Sequence, residues 1–308
     1  MPKGFGAIPS RPDLRDHPVR RYMAVAPAAL PAEFAAGPPV PIYDQDIYGM
    51  CVAFTLAEVK ECEEARERRV QTRFAPAFIY GNRAPTDYKG EGMEPREALK
   101  CLQASGVCPW DMYPMLGTFE RCRAGITPAM RDAALPQVIV NYARAPVPDD
   151  LKTAIYRTGP CMLCIPVYES FMKPFLPSGK VPRVNSSERL LGYHAMMVYG
   201  WTADGYWRVQ NSWGEIWGAG GRCLIPLDYF TLSPDAPETR RMEGWAIVDQ
   251  TAGAGPFPDV EPGRWSAEAI AKCKAAGILV GDPDGNFYPA RAVTREELAV
   301  VIARALKL

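Results

Sequence analysis

The segment Gln210-Asn-Ser-Trp-Gly-Glu-Ile-Trp-Gly-Ala-Gly-Gly221 holds an asparagine, two tryptophans and four glycines within twelve residues. It follows an apolar run that ends at Val209, which predicts that Asn211 lies at the end of a strand. A Trp/Gly-rich turn in a β-sheet is the simplest interpretation, but it does not explain this spacing of an amide and two indoles. Asn211 can also accept the ring N–H of a histidine, with Trp213 covering that hydrogen bond from water.

Two other segments supply a histidine and a thiol. His194 opens an apolar run, whereas the second histidine, His17, lies in a Pro-rich stretch. Cys51 begins a run without Gly or Pro that extends to Arg69 and predicts a helix, buried at its start and exposed at its charged end. The partial positive charge of a helix N-terminus favours the thiolate. A lone histidine beside an apolar strand is more often a core residue. A catalytic role for His194 is therefore predicted only because all three segments occur together.

The three segments resemble the papain family of cysteine peptidases over roughly residues 40 to 250. The family pattern N-S-W-G-x-x-W-G-x-x-G is matched in full from Asn211 to Gly221, and Gln45 precedes Cys51 by six positions, as the oxyanion-hole glutamine of the family does. Cys51 and His194 are 143 positions apart, within the spacing of roughly 130 to 150 typical of the family. The resemblance implies an α+β fold with a helical and a β-rich lobe. It also implies hydrolysis of peptide bonds, as an endopeptidase, by a Cys51 thiolate and a His194 imidazolium, without metal or cofactor.

Some positions depart from the family. Tyr48 replaces a disulfide cysteine, and its partner segment Gly90-Glu-Gly92 lacks cysteine too, so that disulfide is predicted to be absent. By resemblance, Gly92 is a candidate for pairing with the substrate backbone. Val52 replaces the tryptophan that follows the nucleophile. Met50 and Val52 therefore keep an alternative open, in which a non-catalytic wall or S-layer component uses the papain fold as a scaffold.

Composition limits the partners. Lys plus Arg and Asp plus Glu both number 35, so no net field attracts nucleic acid or an anionic membrane. No run approaches the roughly 20 apolar residues of a membrane span. Cys161 and Cys164 have the C-x-x-C spacing, but no second pair follows, and we interpret them as core cysteines rather than zinc ligands.

The 308 residues allow about two domains. Residues 1–40, with Pro27 and Pro31 among their prolines, predict an extended arm, too short for the family's inhibitory pro-segment; whether it covers the cleft is left open. Residues 41–250 form the predicted peptidase domain, with further helices predicted over Pro95–Ala104 and near Asp150–Arg157. After residue 160, apolar runs separated by Gly, Pro and Asp predict five strands, at Met162–Val167, Ala195–Tyr199, Tyr206–Val209, Arg222–Pro226 and Gly244–Val248. A small-residue linker at 251–256 leads to a compact helical module at 257–308.

Residues 257–308 resemble a single S-layer homology domain, through Phe257-Pro-Asp-Val260, Ala276-Gly-Ile-Leu-Val-Gly281, Asp284-Gly-Asn-Phe-Tyr-Pro289 and Thr294-Arg-Glu-Glu297. The resemblance implies binding of secondary cell-wall polysaccharide, with candidate contacts at Asp259, Trp265, Gly281 and Arg295. An arginine fork suits a carboxylate ligand. A calcium loop is disfavoured because Gly285 precedes the last oxygen ligand instead of following it.

The module implies a location at the cell surface or outside the cell. The first 16 residues contain no apolar stretch of signal-peptide length, and free cysteines suit a reducing interior, so a cytoplasmic location also stays open. By resemblance, a single module can also assemble into an oligomer. The sequence thus predicts a cysteine peptidase that is tethered or targeted to a bacterial wall and acts on proteins or peptides.

Overall fold

The computed structural model describes residues 3–11, 13, 16–19, 22, 30–36, 40–68, 71–84, 90–172, 179–184, 187–229, 242–248, 257, 259–260, 266–282 and 284–306. Two compact units divide the chain, one of residues 1–19 and 27–249 and one of residues 20–26 and 250–308. The predicted linker 251–256 lies outside the described residues, and the predicted domain bounds stay predictions.

Helices dominate the first half of the larger unit. They are α1 (Cys51–Arg68), α2 (Pro76–Gly81), α3 (Pro95–Ser105), α4 (Phe119–Ala124) and α5 (Pro128–Ala134). The predicted helices from Cys51 and Pro95 are confirmed. Three of these helices begin with proline, whose fixed φ and missing N–H suit the first helical position.

An antiparallel sheet forms the second half. Its strands are β1 (Phe34–Ala35), β2 (Asn141–Arg144), β3 (Cys161–Tyr168), β4 (Leu190–Trp201), β5 (Tyr206–Gln210), β6 (Arg222–Pro226) and β7 (Glu243–Val248). The strand order is β2-β7-β3-β4-β5-β6, with β1 paired to β4. Helix α6 (Asp149–Thr158) precedes β3, and all five predicted strands and this predicted helix are confirmed.

The core of the larger unit joins the helices to the sheet. Phe54 and Leu56 of α1 belong to the same buried cluster as Met162 of β3 and Met197 of β4. Burial of such side chains is the main favourable term in folding. The α+β class is confirmed, and this packing sets the first turn of α1 beside β4.

The charged second half of α1 differs from its predicted solvated face. Lys60, Glu63 and Glu64 are buried, and the Lys60 ammonium pairs with both carboxylates, at 2.6 Å to Glu63 and 2.7 Å to Glu64. Spacings of three and four residues bring these side chains together on one helix face. The charges that indicated solvent exposure instead neutralise one another inside the protein.

The smaller unit contains α7 (Ala267–Ala275) and α8 (Arg295–Leu306) around a loop, as predicted. Its core is a cluster of Phe257, Val260 and Ile270, against which Phe287 packs. The capping box at the start of α8 is present: Thr294 N–H donates to the Glu297 carboxylate at 2.7 Å, and Glu297 N–H to the Thr294 hydroxyl at 3.1 Å. Within the described ranges, every helix is too short or too polar to span a bilayer.

Candidate active site

Cys51 is the first residue of α1 and is completely buried. Its sulfur receives backbone hydrogen bonds from Ala195, the residue after His194, and from Gly6, Val52 and Ala7. The thiol therefore lies where the first turn of α1 meets β4, next to the predicted histidine.

His194 is oriented by two residues of the segment that follows β5. Its Nε2 lies 2.7 Å from Asn211 Oδ1, and its ring is 4.5 Å from the Trp213 ring, centroid to centroid. Nδ1 is buried and has no hydrogen-bond partner among the described residues. Because Asn211 holds one ring nitrogen, Nδ1 is the nitrogen left to exchange a proton with a thiol.

Gln45 is buried, and Ser212 fixes its amide. The Ser212 hydroxyl donates to Gln45 Oε1 at 2.7 Å, and the backbone N–H of Gln45 donates to the backbone carbonyl of Ser212 at 2.9 Å. Gln45 Nε2 in turn donates to the carbonyls of Tyr48, at 2.8 Å, and Gly4, at 3.1 Å. Holding the amide oxygen in this way directs the nitrogen donors into the cleft.

The cleft is occupied by residues 3–10 of the chain itself, which we call the N-terminal segment. Gly4 N–H donates to the Asp46 carbonyl at 3.1 Å, and Ala7 N–H donates to the Tyr193 carbonyl at 3.3 Å. Met93 pairs with it in parallel: Met93 N–H donates to the Gly6 carbonyl at 2.8 Å, and Ile8 N–H donates to the Met93 carbonyl at 3.1 Å. The predicted arm therefore covers the candidate nucleophile.

Two glycines allow this close approach. A Cβ atom on Gly6 would lie 2.0 Å from the Gly49 carbonyl oxygen, and one on Gly4 would lie 2.1 Å from the Tyr48 carbonyl oxygen. Between them, Phe5 meets His194 and Trp213 edge to face, at centroid distances of 6.3 and 5.9 Å. The segment thus combines two backbone contacts that exclude side chains with one aromatic ring over the imidazole.

Arg96 binds Arg11 and Asp16, which follow the N-terminal segment. Its guanidinium binds Asp16 through two hydrogen bonds of 2.6 Å, and it also donates to the Arg11 carbonyl at 2.5 Å and to Glu94 at 2.9 Å. Both Arg96 and Asp16 are buried, and such bidentate pairs are among the stronger polar contacts in proteins.

Burial sets the protonation states in this closed cleft. It raises the pKa of the Cys51 thiol to about 11, although backbone hydrogen bonds to the sulfur act in the opposite direction. It also lowers the pKa of His194 to about 4, against the effect of the Asn211 hydrogen bond. Both groups are therefore neutral near pH 7, and the predicted thiolate–imidazolium pair is disfavoured while the N-terminal segment is bound.

Gly92, the candidate for pairing with the substrate backbone, lies one residue before the position that pairs with the N-terminal segment. Gly92 N–H donates to the Tyr80 hydroxyl at 2.8 Å, and the Gly92 carbonyl accepts from Arg83, so both groups are used internally. Met93 instead offers its N–H and carbonyl to an extended chain. Gly92 contributes space, because a Cβ atom there would lie 2.7 Å from the Gly6 carbonyl.

In the smaller unit, two predicted wall-polymer contacts have roles inside the module. The Asp259 carboxylate accepts from the N–H groups of Phe287, at 2.8 Å, and Tyr288, at 2.6 Å. Gly281 has φ of +74°, and a Cβ atom there would lie 2.5 Å from the Phe257 ring. Both residues shape the loop, and their predicted contact with a polymer stays a prediction.

The other two predicted wall-polymer contacts are Arg295 and Trp265. Arg295 begins α8 and is exposed, whereas Trp265 lies outside the described residues. A cleft of about 490 Å³ lies beside α8; it is lined by apolar side chains, by two arginines and by three acidic residues, namely Arg291, Arg304, Asp282, Glu296 and Glu297. Across the described parts of both units, no three His, Cys, Asp or Glu side chains are grouped to hold a metal ion.

Ser212 and Met93 were missed at the sequence level. Ser212 lies inside the matched pattern, so its hydroxyl was available as a signal beside Asn211. Met93 has an apolar side chain, and its role rests on backbone groups that every residue carries. In the sequence, only the position of Met93 directly after Gly92 indicates this pairing role.

A cysteine at a helix start, a histidine on β4 paired with an asparagine directly after β5, and a glutamine amide held by a serine define the cysteine-dependent hydrolase class. The chain belongs to the papain family of cysteine proteases, whose description, "Papain family cysteine protease", matches residues 36–228. A second description, "S-layer homology domain", matches residues 256–299. The recognition of both families from sequence is confirmed.

Individual relatives support both matches. A gut-specific cysteine proteinase of Caenorhabditis elegans is 32% identical over 139 residues, which cover 44% of this chain and 39% of that protein. Xylellain, a cysteine protease from Xylella fastidiosa, superimposes with a TM-score of 0.68 at 25% identity, covering 81% of this chain and 97% of xylellain. Outer membrane protein SlpA of Thermus thermophilus is 40% identical over 61 residues, 20% of this chain but only 7% of SlpA. The chain thus spans well under half of the nematode relative and a small part of SlpA.

Proposed function

We propose that the chain is a peptidase that uses Cys51 as nucleophile and His194 as base, and that its N-terminal segment keeps it latent. The observation that carries this proposal is the hydrogen bond of 2.7 Å between His194 and Asn211, beside a cysteine at the start of α1. Asn211 and Trp213 orient and cover the imidazole, while Gln45 supplies an oxyanion donor.

In the open cleft, the Cys51 thiolate attacks the carbonyl carbon of a peptide bond. Gln45 Nε2 and the Cys51 N–H stabilise the oxyanion, a contribution of about 3 kcal/mol or more per donor in a comparable enzyme. The C–N bond breaks as His194 gives its proton to the leaving amine. Water then attacks the thioester carbon with His194 as base, the C–S bond breaks, and the carboxylic acid leaves.

Latency follows from what the N-terminal segment occupies. It takes the Gln45 donor, covers the His194 ring with Phe5 and uses both backbone groups of Met93. It also removes water from the thiol and the imidazole, which keeps both groups neutral. Release of the segment restores hydration and favours the ion pair.

The first test is intact mass after reaction with an epoxysuccinyl inhibitor, for the wild type, Gly6→Val and Cys51→Ala. Gly6→Val prevents the segment from binding, because a side chain at position 6 meets the Gly49 backbone. We expect one adduct on Gly6→Val, slower addition to the wild type and none on Cys51→Ala. The half-exposed Cys101 and Cys273 persist in Cys51→Ala and control for unselective labelling.

A second candidate is a non-catalytic wall component that keeps the fold as a scaffold. The burial of Cys51 and the raised pKa of its thiol favour this candidate. Absence of an adduct on Gly6→Val, in a protein that unfolds at the wild-type temperature, would support it and reject the peptidase.

The smaller unit is proposed to attach the protein to the surface of a bacterial cell through secondary cell-wall polysaccharide. The match to the S-layer homology domain and the exposed Arg295 support this, since a guanidinium fork suits a carboxylate-bearing polymer. Exposed apolar side chains of α8, among them Leu298, Val300 and Ile302, support assembly of several copies. Sedimentation with purified cell walls, for the wild type and Arg295→Gln, tests the attachment; equal sedimentation of both proteins counts against Arg295. Light scattering of the full chain tests the oligomer, and a monomer mass at high concentration rejects it.

A further inference from the structure

We infer that Arg83 and Tyr80 are positioning residues that hold residues 90–93, the pairing edge, in register with the backbone of a bound peptide. This inference rests on the proposed peptidase function and adds two residues to its substrate-binding machinery. Neither side chain belongs to the segments that resemble the family pattern.

The pairing edge is the part of the cleft that recognises an extended chain. Met93 donates its N–H to the Gly6 carbonyl at 2.8 Å and accepts from Ile8 N–H at 3.1 Å. Met93 itself is fully buried, so its backbone position is fixed by what lies behind it. A peptide substrate that takes the place of the N-terminal segment meets the same two groups.

Arg83 and Tyr80 bind the edge from behind. Arg83 Nη1 donates to the carbonyls of Gly90, at 2.9 Å, and Gly92. The Tyr80 hydroxyl accepts Gly92 N–H at 2.8 Å and donates to Glu91 at 2.6 Å. Every residue from 90 to 92 is thus held by one of these two buried side chains.

This network replaces a covalent link. All nine cysteines are free, so no disulfide fixes the pairing edge, and Gly92 has φ of +112°, in the region that favours glycine. The Arg83 guanidinium lies 3.9 Å from the Phe119 ring centroid, and Phe119 N–H donates to Glu91 at 3.2 Å. The edge is therefore tied to α2 and α4 by a planar cation that stacks and donates at the same time.

Both carbonyls accept from one nitrogen, Arg83 Nη1, while the guanidinium plane lies over the Phe119 ring. A lysine ammonium is not planar, so it cannot keep this ring contact while it donates to the two carbonyls. In Arg83→Lys, Gly90 to Gly92 lose their fixed positions and the two backbone groups of Met93 move. The substrate then loses hydrogen bonds that are present both before and during the reaction. Loss of such uniform binding raises KM and leaves kcat nearly unchanged.

The test compares Gly6→Val with Gly6→Val/Arg83→Lys on a fluorogenic peptide, so that release of the N-terminal segment does not mask the effect. We expect KM to rise about tenfold and kcat to stay within about twofold. Gly6→Val/Arg131→Lys is the matched control, because Arg131 is exposed and donates to the Asn82 side chain at 2.8 Å rather than to a residue of the pairing edge. Its KM should stay at the parent value.

A second variant covers the case in which Arg83→Lys does not fold. Tyr80→Phe keeps the ring and removes the hydroxyl that binds Gly92 and Glu91, and it should also raise KM selectively. An unchanged KM in a folded variant, or a fall in kcat without a rise in KM, overturns the inference.

Amide exchange separates this inference from the proposed function. In the wild-type background, the Met93 amide should exchange faster in Arg83→Lys than in Arg131→Lys, whether or not the protein hydrolyses peptides. If Gly6→Val neither hydrolyses peptides nor reacts with the inhibitor, the proposed function fails. If Gly6→Val is active but Met93 exchange and KM are both unchanged by Arg83→Lys, only the positioning role fails.

Discussion

Replacing Gly6 with valine should convert the latent protein into a reactive one. The new Cβ atom would lie 2.0 Å from the Gly49 oxygen and 2.3 Å from the Gly49 carbonyl carbon, whereas ordinary van der Waals contacts of a Cβ atom are 3.4–4 Å. Both groups belong to backbone, so no rotamer change relieves the overlap. The N-terminal segment must therefore leave the cleft.

The size of the effect follows from the contacts that are lost. Apart from contacts with the Cys51 sulfur, backbone groups of residues 4–8 make five hydrogen bonds to the cleft, two through Gly4 and one each through Gly6, Ala7 and Ile8. At the low end of about 0.5 kcal/mol net for each, they contribute about 2.5 kcal/mol. Their loss shifts the ratio of open to closed protein by about 70-fold.

The assay is the second-order rate of inactivation by an epoxysuccinyl inhibitor at pH 7. Lys3→Ala is the control on the same segment: it removes the exposed ion pair of 2.8 Å with Asp44, which contributes at most about 1 kcal/mol. We expect Gly6→Val to react at least tenfold faster than Lys3→Ala. Equal rates for the two variants, at equal melting temperatures, would refute the latency reasoning.

Three further results are expected. Asp16→Ala should increase peptidase activity several-fold, since it frees the arm while Arg96 keeps Glu94 as a partner; unchanged activity would show that this ion pair does not restrain the arm. The ultraviolet difference absorbance of the Cys51 thiolate, wild type minus Cys51→Ala, should rise with a midpoint near pH 11, because burial raises the pKa of this thiol to about 11 while the N-terminal segment is bound; a midpoint below pH 8 contradicts that pKa. Ser212→Ala should lower kcat about tenfold at constant KM in the Gly6→Val background, because Gln45 loses the hydroxyl that holds its amide; an equal kcat would exclude this role.

The helix from Cys51 and the strands after residue 160 were predictable because their apolar periodicity is local. The grouping of Cys51, His194 and Asn211 was predictable only through spacing and family resemblance, since no local rule brings a helix and two strands together. The short helices at Pro76 and Pro128 were missed, because six or seven residues hold too few turns for a periodic signal.

What escaped the sequence depends on long-range packing. Lys60 and its two glutamates have the pattern of a solvated helix face, and only tertiary contacts bury them. The alternation of Gly4 and Gly6 in a Pro-rich arm is typical of a flexible terminus. The reason for glycine at these two positions is seen only in the folded chain, where the carbonyls of Tyr48 and Gly49 leave no room for a side chain.

The N-terminal segment contacts the oxyanion donor and the sulfur through different peptide units. The carbonyl at Gln45 belongs to Gly4, whereas the N–H groups at the sulfur belong to Gly6 and Ala7. Within the described N-terminal segment, no single peptide unit faces both the oxyanion donor and the nucleophile, which predicts that the segment is not itself cleaved. If displacement of the segment activates the protein as proposed, the chain stays intact and the same molecule can return to the closed form.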